Sequence, residues 1–209
     1  MTRTITLLLV LALAGCQALS PRLHGEGGQA AVTALMLASS EAAAKQLAQE
    51  GAYSSSETLR LTLPARMEPI AEELEHHGFG PRITELELLM NIAAERAAAD
   101  AAEVFAAVIA DTPISSPRRI LRGDDDAATR YLWEHARDDL AYRYRGLIQE
   151  HLNRLGFYES HRLVLDLHQS LPVDQDRGVN LEDQVVRQAL VGLMRTMAEE
   201  ERRLREEGI

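Results

Sequence analysis

Residues 84–110 read TELELLMNIAAERAAADAAEVFAAVIA, and this stretch decides the fold class. At about 100° per residue, Leu86, Met90, Ala94, Ala97, Ala101, Phe105 and Val108 fall on one broad arc. Glu85, Arg96 and Glu103 lie roughly opposite. Alanine dominates and β-branched residues are few, so the spacing predicts a long amphipathic helix over Thr84–Ala110. One feature departs from a plain apolar face. Glu87, Asn91 and Glu95 run i, i+4, i+8 down its flank, where polar groups leaving water need partners. Either these side chains bond a neighbouring helix or loop backbone and fix how elements dock, or Asn91 and Glu95 line a ligand pocket.

The composition agrees with helix throughout. Of 209 residues 46% are apolar, but only 4% are aromatic, so alanine and leucine must build the core. Helical spacing recurs in Ala30–Gln49, Ala65–His77, Ser116–Leu121, Tyr158–Ser170 and Leu181–Glu207, and in a long helix from Asp124 to about Leu155. Leu59–Leu63 alternates like a strand, but Pro64 closes it and no partner strand is evident, so it reads as an extended packing segment. Asn180 and Asp183 have the spacing of a capping pair. Gly192, inside the last apolar stripe, points to close approach by a neighbour. Glu199–Glu207 is charged nearly all round, with Glu199–Arg203 and Glu201–Arg205 as i, i+4 pairs, and is expected to protrude into water. No repeat and no second core appear. The expectation is one all-α domain of six to seven helices over residues 30–209.

The front of the chain reads differently. Arg3 precedes the apolar run Ile5–Leu13, which is too short to span a bilayer comfortably. Leu13-Ala14-Gly15-Cys16 follows and resembles the lipobox of bacterial lipoproteins, in which the cysteine thiol is lipidated and becomes the new N-terminus. Cys16 is the only cysteine, so it has no internal disulfide partner, and lipidation accounts for it. Residues 1–15 then form a cleaved lipoprotein signal peptide, and residues 16–29, rich in glycine, a short flexible tether. Gln17 stands where inner-membrane lipoproteins commonly carry aspartate, so the resemblance implies anchoring by lipid on Cys16 at the periplasmic face of the bacterial outer membrane.

Candidate chemistry is thin. The formal charge of −10 argues against nucleic acid, whose phosphates need a basic face. Asp124-Asp125-Asp126 lacks the spacing of a calcium loop and reads as a helix start, one carboxylate capping and the others favouring the positive dipole end. The histidines are scattered; His161 and His168 share a helix face without further ligands, so no metal or other cofactor is expected. No serine elbow and no phosphate-binding glycine loop occurs, so the chain is expected not to be an enzyme. Trp133 with Arg143 and Arg145 forms a candidate partner surface, because tryptophan and arginine dominate interface hot spots; alternatively Tyr158–Ser170 covers Trp133.

Four stretches sit in a familiar order: Leu59–Pro64, Met90–Glu95, Gly123–Tyr131 with Asp-Ala-Ala-Thr, and Asn180–Glu201 ending in Ala-Glu-Glu-Glu. Together they resemble the domain of unknown function 4197 family of exported proteobacterial proteins, over about Ala34–Glu206. Met194-Arg195 departs from it, standing where members usually carry phenylalanine, and the loop Leu171–Gly178 is more acidic than the family pattern. The resemblance implies a helical fold and no established activity. The expected role is therefore a non-catalytic binding or scaffold domain for a protein or envelope component. The competing expectation is a carrier of a small apolar or lipidic ligand, held between helices beside Asn91 and Glu95.

Overall fold

The structure, a computed structural model, describes residues 26–171 and 180–208. Among these residues it forms seven α-helices and no strand: α1 (Glu26–Leu47), α2 (Glu68–His76), α3 (Gly80–Asp111), α4 (Pro117–Leu121), α5 (Ala127–Arg154), α6 (Phe157–Ser170) and α7 (Leu181–Glu206). A 3-10 turn at Ala65–Met67 leads into α2. The four long helices pack in a ring, α1 against α3, α3 against α5, α5 against α7, and α7 back against α1. The shorter α2 and α6 lie on the outside of α3, and α4 bridges α1 and α5. The all-α expectation holds.

Each inner face is the one the spacing predicted. On α3 the seven residues from Leu86 to Val108 are all buried, and on α7 so are Val185, Val186, Ala189, Leu190, Leu193, Met194 and Met197. Ala93, Ala94, Ala97, Ala98 and Ala101 are fully covered, which explains how so few aromatics suffice. A one-carbon side chain lets helix backbones come close and loses no rotamer freedom on burial.

The boundaries differ where glycine and proline lie inside helices. α3 begins at Gly80, four residues before Thr84, because Pro81 sits in the first turn, where a missing N–H breaks no helical bond. α1 begins at Glu26, so the segment assigned to the tether loses its last residues to the helix. Gly28 is buried there, and Gln29 Nε2 donates to the Ile114 carbonyl at 3.1 Å. Those contacts act against the cost of Gly27 and Gly28 in a helix, about 1 kcal/mol each. Asn180 caps α7 as expected, its Oδ1 accepting from the Asp183 N–H at 3.2 Å. The signal peptide, Cys16, the tether through Gly25 and the loop residues 172–178 lie outside the described residues.

Candidate functional site

The polar stripe of α3 holds the connection between α1 and the 3-10 turn, the longest without a helix among the described residues. Asn91 is 1% exposed; its Oδ1 accepts from the Leu61 N–H at 2.9 Å, and its Nδ2 donates to the Leu61 carbonyl at 2.8 Å. It therefore replaces the missing partner strand of Leu59–Leu63 with a single side chain. Glu87 accepts from the Leu63 N–H at 3.1 Å. Glu95 Oε1 accepts from the N–H groups of Tyr53 and Ser54 and from the Ser54 hydroxyl, at 3.0 to 3.1 Å. Tyr53, itself fully buried, reaches on to α7, donating to the Ala189 carbonyl at 2.9 Å. Burial, with Glu95 nearby, pushes its hydroxyl pKa far above the ordinary value. Its ring presses on Gly192, where a Cβ would come within 2.8 Å of Cε1. That is the close approach the glycine predicted. The carboxamide of Asn91 and Oε1 of Glu95 thus bond the connection over residues 53–61, as the docking alternative requires.

The stretch Ile120–Trp133 is organised by a residue far away in sequence. Asp126 occupies the N-cap of α5, yet its side chain makes no capping bond. Instead Asp124 and Asp126 pair with Arg130 at 2.7 and 3.2 Å, on the surface. The capping expectation for the triple aspartate is corrected: the carboxylate at this helix start belongs to Glu201 of α7. Glu201 accepts from the Ala128 N–H at 2.9 Å, the Thr129 N–H at 2.7 Å and the Thr129 hydroxyl at 2.8 Å. The two oxygens of this carboxylate serve both amides and the hydroxyl at once. One turn on, Arg205 donates back to Glu201 at 2.7 and 2.9 Å and to the carbonyls of Ile120 and Leu121 at 3.1 Å. So the Glu–Arg pair sets a negative charge at the start of α5 and a positive one at the end of α4, as the two helix dipoles favour. Glu201 has no exposed surface and Leu204 is 7% exposed, so the end of α7 packs against the α4–α5 junction and does not protrude as expected. Glu199 and Arg203 do not pair with each other: Arg195 takes Glu199, and Arg203 takes Glu200 and Glu207. A Cβ at Gly123 would stand 2.9 Å from the Arg119 carbonyl, so the turn between α4 and α5 requires glycine.

Trp133 follows this junction on α5. It is half-buried and lies beside α7, not under α6 as the alternative had it. With Val191 and Met194 it lines a groove of about 340 Å³ between α5 and α7. A second groove, of about 270 Å³, shares Val191 and Arg195 and continues between α7 and Thr58–Arg60. Val191, which lines both grooves, is 54% exposed. Arg143 and Arg145 are not brought to this surface. Arg143 pairs with Asp139 and Asp111, and Arg145 with Glu182 and Asp183, ion pairs that tie α5 to its neighbours. The groove residues that sequence reasoning passed over are Val191 and Arg195. Their signal was an aliphatic residue on the polar arc of α7, four residues from an arginine on each side.

The remaining candidates gather no site. Among the described residues, no three His, Cys, Asp or Glu side chains come together around one position for a metal ion. His161 stacks on Phe157, its Nε2 is buried without a partner among the described residues, and burial lowers its pKa. His168 is buried on the same helix. A depression of about 440 Å³ beside α4 is lined by exposed charges of both signs, with Tyr131 and His135 stacked at 3.9 Å on its wall. No described helix is long and apolar enough to cross a membrane.

A family model described as a protein of unknown function (DUF4197) matches residues 24–209. No curated protein and no solved structure matches the chain.

Proposed function

This chain belongs to the DUF4197 family of proteins of unknown function, and on that premise we propose that it is a lipid-anchored periplasmic binding domain which takes a partner on the Trp133 face. The observation that carries this reading is the pair of grooves meeting at Val191, with Trp133 and Met194 on one side and Leu59 on the other. A large aromatic beside an open apolar strip is what interface anchors are made of. The other distinctive polar residues serve the fold: Asn91, Glu95, Glu201 and Arg205 hydrogen-bond backbone groups, Glu95 and Glu201 also a hydroxyl, and Glu201 and Arg205 each other. For the same reason a carrier role built on Asn91 and Glu95 has less support.

The anchor is the lipobox at Leu13–Cys16, and the body is a non-catalytic domain held close to the outer membrane. From Cys16 to the start of α1 the chain has ten residues or so, a reach of at most roughly 35 Å, so the partner is met near that membrane. Two experiments test this. Cys16→Ala abolishes lipidation and releases the protein from the outer-membrane fraction; unchanged association refutes the anchor. A photoreactive residue at Trp133 gives a specific adduct in cells, and the same residue at the exposed Leu163 or Tyr142 does not. Adducts at the control sites with none at Trp133 refute the binding face.

A further inference from the structure

Resting on that reading of the Trp133 face as a binding surface, we infer that the partner enters as an extended polypeptide strand, pairing main chain to main chain with the open edge of residues 60–62. Helix α1 stops at Leu47, and the connection that follows bridges α3 and α7. Tyr53 in this connection bonds Glu95 of α3 through its N–H and Ala189 of α7 through its hydroxyl. Further on, Arg60 and Thr62 are exposed while Leu61 and Leu63 are buried, the alternation of a strand. In such a chain the N–H and C=O of one residue point to one edge, and those of the next residue to the other. The edge of Leu61 and Leu63 is filled by α3: Asn91 takes both main-chain groups of Leu61, and Glu87 takes the Leu63 N–H. The opposite edge is open. Thr62 makes no hydrogen bond among the described residues, and the Arg60 carbonyl accepts none, while the Arg60 N–H turns back to the Ser56 carbonyl at 3.2 Å.

This edge looks away from α3, and the groove of about 270 Å³ separates Thr58–Arg60 from α7. On the α7 side the groove is lined by Gln188, whose Oε1 is buried and has no hydrogen-bond partner among the described residues. Nearby charges are already matched, Arg60 with Glu87 and Arg195 with Glu199. What stays unserved is one donor, the Thr62 N–H, and three acceptors, the carbonyls of Arg60 and Thr62 and the Gln188 oxygen. That set selects the occupant. A carboxylate or phosphate brings acceptors where acceptors already stand, and an acyl chain brings no polar group. A helix has spent its own main-chain groups internally. An extended polypeptide alternates donor and acceptor along its edge, as this segment does, and strand addition uses that match. The exposed Val191 on the far wall meets one of its side chains. Pro64 has no N–H and closes the edge, so the paired stretch is short.

The test uses full-length protein in detergent, with a phage-displayed library of random decapeptides as the probe. Selected peptides are resynthesised with alternate amides N-methylated, in each of the two registers. One register is expected to weaken binding about tenfold, and the other, whose methyl groups face away from the protein, to leave it nearly unchanged. Bound peptide slows hydrogen exchange at the Thr62 amide. Thr62→Pro deletes an N–H that the fold does not use and keeps the preceding residue extended, so it weakens binding by a similar factor, and Thr62→Val does not. Unchanged melting verifies each variant; if Thr62→Pro fails to fold, the N-methylated pair on the parent protein decides. Selection of no peptide, the same effect in both registers, unslowed exchange at Thr62, or indifference to a folded Thr62→Pro overturns the inference. Displacement of the peptide by phosphatidylglycerol vesicles assigns the groove to lipid, and a dimer in sedimentation that Thr62→Pro dissolves assigns the edge to a second copy. Either result overturns it as well. Trp133 adducts in cells without register-dependent peptide binding refute the strand and leave the binding face standing. If both are absent, both fall.

Discussion

Replacing Glu201 by alanine is the sharpest test of how this domain is held together. The carboxylate is completely buried and receives the Ala128 and Thr129 amides, the Thr129 hydroxyl and the Arg205 guanidinium. Alanine leaves two amides of the first turn of α5 without an acceptor and strands a guanidinium that is only 14% exposed. Breaking a buried pair by removing one partner costs about 3–5 kcal/mol, mostly as the penalty on what remains. For a chain of this size that corresponds to a melting temperature lower by roughly 10 °C. The Arg205→Ala, Glu201→Ala double variant should cost less than the sum of the singles by about 1–2 kcal/mol, because the stranded charge is gone. Urea unfolding of the four proteins, with Glu199→Ala as a 54%-exposed control, measures both quantities. A Glu201→Ala loss no greater than that of Glu199→Ala would refute the clamp, and strict additivity would refute the coupling.

Asn91→Leu matches the shape but orphans both the N–H and the carbonyl of Leu61, so it should cost about 2–4 kcal/mol and expose residues 53–63 to protease. Native mass spectrometry of the wild type should show the apo mass; a bound small molecule lost in Asn91→Leu would favour the carrier instead. Gly192→Ala drives a methyl into the Tyr53 ring and should cost about 1–3 kcal/mol, less in a Tyr53→Leu background where the ring is absent. Burial lowers the pKa of His161 in the folded state, so the unfolded chain binds the extra proton between that value and 6.5. The stability present above pH 6.5 is therefore lost as pH falls through this window, and His161→Gln should flatten the acid side of melting temperature against pH. An unaltered slope would contradict it.

How far the fold could be read from residues depended on range. The arcs of α3 and α7 follow from local spacing, and burial obeyed them because an apolar stripe has one way to leave water. The polar stripe Glu87–Asn91–Glu95 was visible too, as was its need for partners, but not the partners themselves. Leu61 lies 30 residues from Asn91, and nothing local announces that pairing. Glu201 was harder still. It reads as one charge among many, although it stands four residues after Met197 and three before Leu204, where the buried stripe of α7 continues. Three aspartates beside the same helix start drew attention away from it. The stretches that carry the family resemblance turn out to hold these clamps: Leu61, Asn91 with Glu95, Thr129 and Glu201. They describe how the domain is built, which is why they said little of what it binds. Trp133 was visible as a candidate, but its companions Val191 and Arg195 came together only when α7 packed against α5.

The claim that function lies in this groove, and not in Trp133 alone, meets its most direct test in a second-site experiment. With the photoreactive residue at Trp133, cellular adducts are measured in Val191→Asp and in Tyr142→Asp, both at exposed sites, after unchanged melting has been verified for each variant. Loss of the adduct in Val191→Asp and its retention in Tyr142→Asp is the predicted result. An adduct that survives Val191→Asp unchanged, or disappears equally in both variants, contradicts the account.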